Sequence, residues 1–476
     1  MRNRLTIATS WIIWAATLPL SLCVDAQQPL PNAPSLHLLA NSTEAARQDG
    51  GQQTPNRSSE SAVPADSQSA GASLTLDQAE QLAIRNNPQI SVAHLLALAQ
   101  AQVIREARSS EMPMVRADLT AVDAHSNTRV TAGALNNPTI FDRAAGGLTV
   151  SQLLTDFGRT HNLVKSSQST ARAQLETEKA TELDIRLAVD QAFYRALTAQ
   201  ALLKVAEQTV AERQATGDQV GALNQAKVRS DLDLSLANVQ ISQANLMLLN
   251  AKDDEQSTMA SLNDVLGSEQ DQQYTLIDES GGNPPPAPTD AEALLQIAFK
   301  QRPDLASIND RYLAALQYGT AQRDLMLPTI SALGVGGGTP VRSSQILSPW
   351  YGAAGANIDI PVFNGFLLSA ETKEARLRAQ AAKEQVRELR DDIGRDVRTA
   401  VLNAQAAFQR IAVTQGMLDQ ADLALDLAQA RYKIGLSSIV ELTKAQLAQT
   451  EAQIDNTTAR YGYQTSLAEV RYETGQ

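Results

Sequence analysis

The sequence predicts a mainly α fold with a small β part: duplicated long α-helical hairpins, with four β-strands per protomer. Three observations carry that expectation. No proline occurs between Pro138 and Pro284, and a helix is the element that proline most disrupts. A shift of 208 positions superposes Ile185 on Ile393, Val189 on Val397, Leu234 on Leu442 and Ala237 on Ala445. Two proline pairs, Pro88 with Pro303 and Pro113 with Pro328, share a spacing of 215 residues. Self-similarity at a fixed spacing marks an internal duplication.

Composition agrees with helices that approach closely around little central core. Apolar residues make up 43% of the 476, but aromatics only 4%, fewer than a globular enzyme of this size carries. The formal net charge of −12 excludes nucleic acid as a partner, because that binding needs a basic surface to displace counterions.

At the N-terminus Arg2 and Arg4 precede an apolar run from Ile7 to Leu22, followed by Val24-Asp25-Ala26. This is the pattern of a secretory signal, and the run is shorter than the ~20 residues of a spanning helix. Residues 1–26 therefore read as a signal peptide, with a membrane anchor as the alternative. Cys23, the only cysteine, also stands where a lipidation site can lie, although Leu22 occupies a position that such sites give to a small residue. With cleavage after Ala26 the mature chain has neither disulfide nor thiol nucleophile. Residues 27–72, rich in Pro, Ser and Gln, read as a disordered tether.

Residues 73–280 and 290–476 read as two structural repeats joined by the proline-rich linker 281–289. In the first, Thr75 or Asp77 caps a helix carrying Ala79, Leu82, Ala83 and Ile84; Asn86-Asn87-Pro88 interrupts it, and a second helix runs from about Gln89 to Ser109. Thr289-Asp290 and Gln301-Arg302-Pro303 repeat this arrangement, with the second helix ending near Leu325. Val115–Asp123 and Leu148–Leu154 then read as strands around a loop from Gly133 to Gly146. Thr329–Gly338 and Tyr351–Val362 match them around a loop from Pro340 to Pro349. In the last strand Ala354, Ala356, Ile358 and Ile360 alternate with Gly355, Asn357 and Asp359, the period of a transmembrane barrel strand and equally of a soluble hairpin. Four strands cannot close a membrane sheet alone, so closure requires several protomers.

A helix from Arg159 to near Ala215 would be about 85 Å long. Asp231–Leu266 returns antiparallel to it. Phe363–Arg431 and Gln446–Glu473 form the second hairpin. Its tip is Tyr432–Ala445, where Gly435 gives a turn and Ser437-Ser438 an N-cap. Asn224–Ala237 is the matching tip of the first.

The ordered set of features resembles the TolC-like outer membrane efflux family over Leu74 to Gly475. The carriers are the signal peptide, the twice-repeated helix-Pro-helix-strand order, Ile360-Pro-Val-Phe-Asn-Gly365, Arg431-Tyr-Lys-Ile-Gly435 with Glu441-Leu442, and Ala468-Glu-Val-Arg-Tyr-Glu-Thr-Gly475. The resemblance implies a homotrimer whose protomers share a twelve-stranded barrel in outer membrane lipid. It implies a helical tunnel through the periplasm with an equatorial domain, and as partners a periplasmic adaptor (membrane fusion) protein and an inner membrane pump. The implied function is the exit duct of a tripartite efflux system, passively exporting small molecules and gated at the periplasmic tips. Type I protein secretion would use the same duct. A pore-less coiled-coil scaffold is the alternative from another class, and leaves the strands unexplained.

By resemblance, the acids that narrow the pore match Asp233 and Glu441, with Asp231 nearby; each also suits a helix start, where an acid complements the helix dipole. Tip and adaptor-contact candidates are Lys227, Ser230, Tyr432, Gly435, Ser437 and Ser438. Lys227 replaces the tip glycine, Ser437 stands where some members have a gate arginine, and Lys444 where some have a second acid. Gly158, Pro361 and Gly365 read as strand-end turns.

Catalytic patterns are missing. Asp156-Phe157-Gly158 lacks the companions of a kinase site, and Gly334-Val-Gly-Gly-Gly338 is not followed by a helix. His37, His94, His125 and His161 have no metal-ligand spacing. The reading is a non-enzyme without cofactor or metal.

Overall fold

The computed structural model describes residues 72–125, 142–268, 272–278, 284–341 and 348–476. The signal segment, residues 27–71 of the tether and part of each inter-strand loop lie outside the described residues. Strand β1 (Ala72–Leu74) leads into helix α1 (Leu76–Asn86), which Thr75 caps through a reciprocal box with Gln78. Asn87 ends α1 and caps α2 (Pro88–Ser109), its side chain accepting from the Gln89 N–H. Pro88 follows at a helical position whose N–H would be unpaired anyway. Then come β2 (Met114–Val122), β3 (Arg143–Thr155), α3 (Arg159–Gln225), α4 (Asp231–Val265) and β4 (Tyr274–Leu276). The second set is α5 (Ala291–Gln301), α6 (Pro303–Asp324), β5 (Thr329–Val341), β6 (Trp350–Asp359), α7 (Leu367–Lys433) and α8 (Ile439–Thr474). Helices α3 and α7 both have 67 residues, about 100 Å each.

Several boundaries differ from the sequence expectation. Helix α3 passes Ala215 because Gly217 does not stop it: a Cβ there would lie 2.5 Å from Ile241 Cδ1 on α4. The glycine permits close helix packing, which offsets its propensity cost. Helix α8 resumes at Ile439, so the second tip is only Ile434–Ser438. Strand β3 takes in Gly146, read as the end of the loop, and Gly147, which falls between the expected loop and strand. Strand β5 continues through Pro340, where two residues oppose Ala145 in a bulge that spares the missing N–H. Strand β6 stops at Asp359, before Ile360–Val362, since Pro361 has no ladder donor. Ala72, assigned to the tether, pairs in β1 with Tyr274 of β4.

The larger sheet has the order β2-β3-β5-β6, antiparallel throughout. Its register sorts residues by face. One face carries Val115, Ala117, Leu119, Leu148, Val150, Ile330, Trp350, Ala354 and Ile358. The other is more polar: it carries Arg116, Asp118, Thr120, Arg143, Thr149, Ser151, Ser331, Tyr351, Asn357 and Asp359, interspersed with Met114, Val122, Leu153, Leu333 and Val335. Every residue of β6 is exposed, as are Leu119, Leu148 and Val150 on the apolar face. Among the described residues the protomer thus leaves an apolar sheet face uncovered and the outer edges of β2 and β6 unpaired. Exposed Phe157, Phe363 and Phe366 flank the helical end of the strands, and exposed Trp350 the far end. Aromatic girdles bracket membrane barrels in this way.

The long helices pack in the order α4-α3-α8-α7, with α1 against α3 and α5 against α7. Both hairpins end alike. Gly267 (φ 68°) and Gly475 (φ 79°) are left-handed caps. A Cβ on them would lie 2.8 Å from the Asn86 carbonyl oxygen and 2.9 Å from the Arg302 nitrogen respectively. Each glycine lets its hairpin seat on the break between the paired short helices. Among the described residues, no helix is long and apolar enough to cross a membrane.

Candidate gate at the hairpin tips

Both tips close with the same backbone device. In the first, Lys227 N–H donates to the Asn224 carbonyl (2.8 Å) and Val228 N–H to Leu223 (2.9 Å); in the second, Gly435 donates to Tyr432 (3.1 Å) and Leu436 to Arg431 (2.9 Å). This paired pattern needs a left-handed residue after the helix. Gly435 supplies it at φ 79°, and Lys227 occupies it at φ 59°, a conformation that costs a side-chain-bearing residue roughly 1–2 kcal/mol. Ser230 and Ser438 then cap α4 and α8, their hydroxyls accepting from the Asp233 (3.2 Å) and Glu441 (3.3 Å) backbone N–H groups.

The three candidate acids have different local partners. The Asp233 carboxylate accepts from the Ser230 N–H at 3.3 Å, completing a capping box. Asp231 accepts from Asn224 Nδ2 at 2.9 Å. Glu441 pairs with Arg431 at 3.5 Å, with both side chains substantially exposed. Lys444 is also exposed.

Tyr432 lies at the centre of the region. It is buried with Val220, Ala237, Leu425, Ala428, Ile439 and Leu442, a cluster that joins the two hairpins. The Arg229 guanidinium of the first tip lies 4.3 Å from its ring centroid and donates to its carbonyl at 3.2 Å. Burial pushes the Tyr432 hydroxyl above its ordinary pKa, against the opposing charge of Arg229. Ser437 is also buried, and neither its hydroxyl nor that of Tyr432 has a hydrogen-bond partner among the described residues. The contact joining the tips is therefore an arginine on a tyrosine. Arg229 was not singled out from sequence. The signal available was its position two residues before the helix start, in a tip facing one that contains Tyr432.

At the other end, Gly158 (φ 109°) turns β3 into α3 beside left-handed Phe157, and Gly365 (φ 62°) turns β6 into α7 beside left-handed Phe366. Buried Asp156, also missed, anchors the first turn by accepting from the N–H groups of Gly158 (3.2 Å) and Thr160 (2.7 Å). Pro361 lies between β6 and that second turn, outside regular structure.

Paired helical hairpins with long arms of about 100 Å, joined at their tips and carrying at the other end a sheet with one apolar and one more polar face, define a duct-forming membrane protein. The family model for outer membrane efflux proteins matches residues 79–268 and again 294–476. The chain belongs to the outer membrane efflux protein family and is an outer membrane protein. It is 24% identical to outer membrane protein TolC of Salmonella enteritidis over 424 residues, 84% of this chain and 83% of that one. It is 26% identical to the pyoverdine export outer membrane protein OpmQ of Pseudomonas putida over 469 residues, 92% of this chain and 93% of that one. The crystal structure of outer membrane protein VceC from Vibrio cholerae has the same fold, with a TM-score of 0.71 at 18% identity, covering 84% of this chain and 96% of that one.

Proposed function

We propose that this protein is the exit duct of a tripartite efflux system, a homotrimer that passively exports small molecules and is gated at its periplasmic tips. The observation that carries the reading is the two-faced sheet: an exposed apolar face requires lipid, and unpaired edges in lipid require strands from other copies. Three protomers give a closed barrel of twelve strands with the polar face lining the lumen. The helices support the same closure. On α4, at one end of the helix row, Leu232, Val239 and Leu246 are exposed at heptad spacing. On α7, at the other end, Leu402, Val413, Leu423 and Leu427 are exposed. A neighbouring copy would cover both seams.

The Arg229–Tyr432 contact and the hydrophobic cluster beneath it hold the tips together, and opening separates them when a periplasmic adaptor bound to an inner membrane pump engages. Asp231, Asp233 and Glu441, repeated about the axis, form acidic rings that favour cations. Lys227, Gly435, Ser230 and Ser438, all exposed, belong to the surface offered to the adaptor, whereas Ser437 lies buried behind it. Cargo is a property of the pump. Names among the relatives include a pyoverdine exporter and a cation efflux protein, both small-solute systems, which favours efflux over protein secretion. The test is accumulation of a fluorescent drug-like dye in cells lacking the gene. Raised retention, reversed by the gene on a plasmid, is expected; equal retention together with loss of a protein from the culture supernatant would assign the duct to secretion.

A further inference from the structure

The sheet contains a seat for one aromatic ring. Asp118, Gly147, Gly337 and Tyr351 lie opposite one another across β2, β3, β5 and β6, forming a single row on the polar face. Tyr351 lies across both glycines. A Cβ on Gly337 would come within 2.5 Å of its hydroxyl and 2.6 Å of Cζ, and one on Gly147 would run into the same hydroxyl, with Cζ at 3.1 Å. The hydroxyl therefore rests over β3, two strands from the residue that carries it. The next row, on the apolar face, is Leu119, Gly146, Gly338 and Trp350. There Leu119 leans over Gly146, its Cδ2 2.8 Å from where a Cβ would stand.

Glycine weakens a strand unless a side chain or ligand uses the space it leaves. Here the space on the polar face is filled by the largest side chain that the described strands carry there. We propose that Tyr351 sets the bore of the duct's outer half, and that Gly147 and Gly337 keep its ring flat against the wall. The inference rests on the barrel reading above. In a closed trimer three rings lie at one level near the end of the sheet remote from the helices. A ring lifted from its seat projects into the lumen, whereas a stowed ring leaves the lumen open.

The test is single-channel conductance of the full-length protein in planar bilayers, measured in wild type and in an Arg229→Ala background so that the tips do not dominate the resistance. Gly147→Ala is expected to lower conductance by about twofold and Tyr351→Ala to raise it modestly, since a pore's narrowest ring governs its flow. The decisive variant is Gly147→Ala/Tyr351→Ala. A Cβ on Gly147 also comes within 2.9 Å of the Gly336 carbonyl oxygen, so a loss caused by sheet distortion would persist in the double variant. A loss caused by the displaced ring would be restored. Persistence of the loss, or equal conductance in all variants, would overturn the assignment of Tyr351 while leaving the duct reading intact. Absence of conducting steps in both backgrounds would overturn the duct reading and this inference with it.

Discussion

At the tip between α3 and α4 the left-handed residue is Lys227, and the acid three residues past the cap, Asp233, is bound back onto the Ser230 N–H. At the tip between α7 and α8 the left-handed residue is Gly435, and the corresponding acid, Glu441, reaches back to Arg431. The backbones match; the chemistry does not. The first tip spends its acid on its own helix and carries a strained lysine, but sends Arg229 outward. The second tip is relaxed at its turn and places Tyr432 beneath that arginine. Duplication gave two equal hairpins, and divergence put the arginine on one tip and the tyrosine it covers on the other.

The charge beneath the short helices diverged too. Buried Asp190 on α3 pairs with Arg471 of α8 at 3.0 Å. The positions corresponding to Glu80, Asp190 and Arg471 in the other repeat are Leu295, Arg398 and Asn263. Burial, with Glu80 close by, pushes the Asp190 carboxyl up to about 7 despite Arg471 and Arg186.

The comparison can be broken most forcefully at Tyr432. Tyr432→Ala should destabilise the tip region by about 3–5 kcal/mol, the cost of emptying an aromatic site, read as a lower denaturation midpoint; an effect no larger than that of an exposed tip residue would remove Tyr432 from the centre of the account. Next comes pH. Asp190 holds its proton to higher pH when folded than the ordinary carboxylate does, so its contribution is complete below about pH 4 and is lost as pH rises through about 7, by up to ~1.4 kcal/mol per pH unit. Thermal melts from pH 5 to 8 should show the loss, and Asp190→Asn should flatten it. The tips are then sharpened by opposite signs. Lys227→Gly should stabilise and Gly435→Ala destabilise, each by about 1–2 kcal/mol from left-handed strain. The same sign for both would mean that the shared turn geometry does not govern their stability. Smallest is Glu441→Gln, expected to cost under ~0.5 kcal/mol because the pair with Arg431 is exposed, while lowering the cation preference of the pore in reversal-potential measurements.

Much of this fold was legible because its signals are local or periodic. Proline spacing located the breaks at Pro88 and Pro303, the Ser437-Ser438 cap marked the start of α8, and the 208-residue shift aligned the hairpins. What escaped was non-local. Strands β1 and β4 have three residues each and meet only in three dimensions. Gly146 read as loop, and Gly147 was left out of the strand, because the residues that lean over them, Leu119 and Tyr351, lie on other strands. The tip acids were legible as acids at helix starts, but their partners differ case by case. The Arg229 contact was invisible because its tyrosine lies 203 residues away.

The most direct test of the central claim is the conductance of single trimers in planar bilayers, comparing wild type with Arg229→Ala. A latch made by Arg229 on Tyr432 predicts a low-conductance wild type and a variant several times more conductive, at unchanged trimer content on native gels. Equal conductance would contradict the account: the two tips would then be joined by something other than this contact.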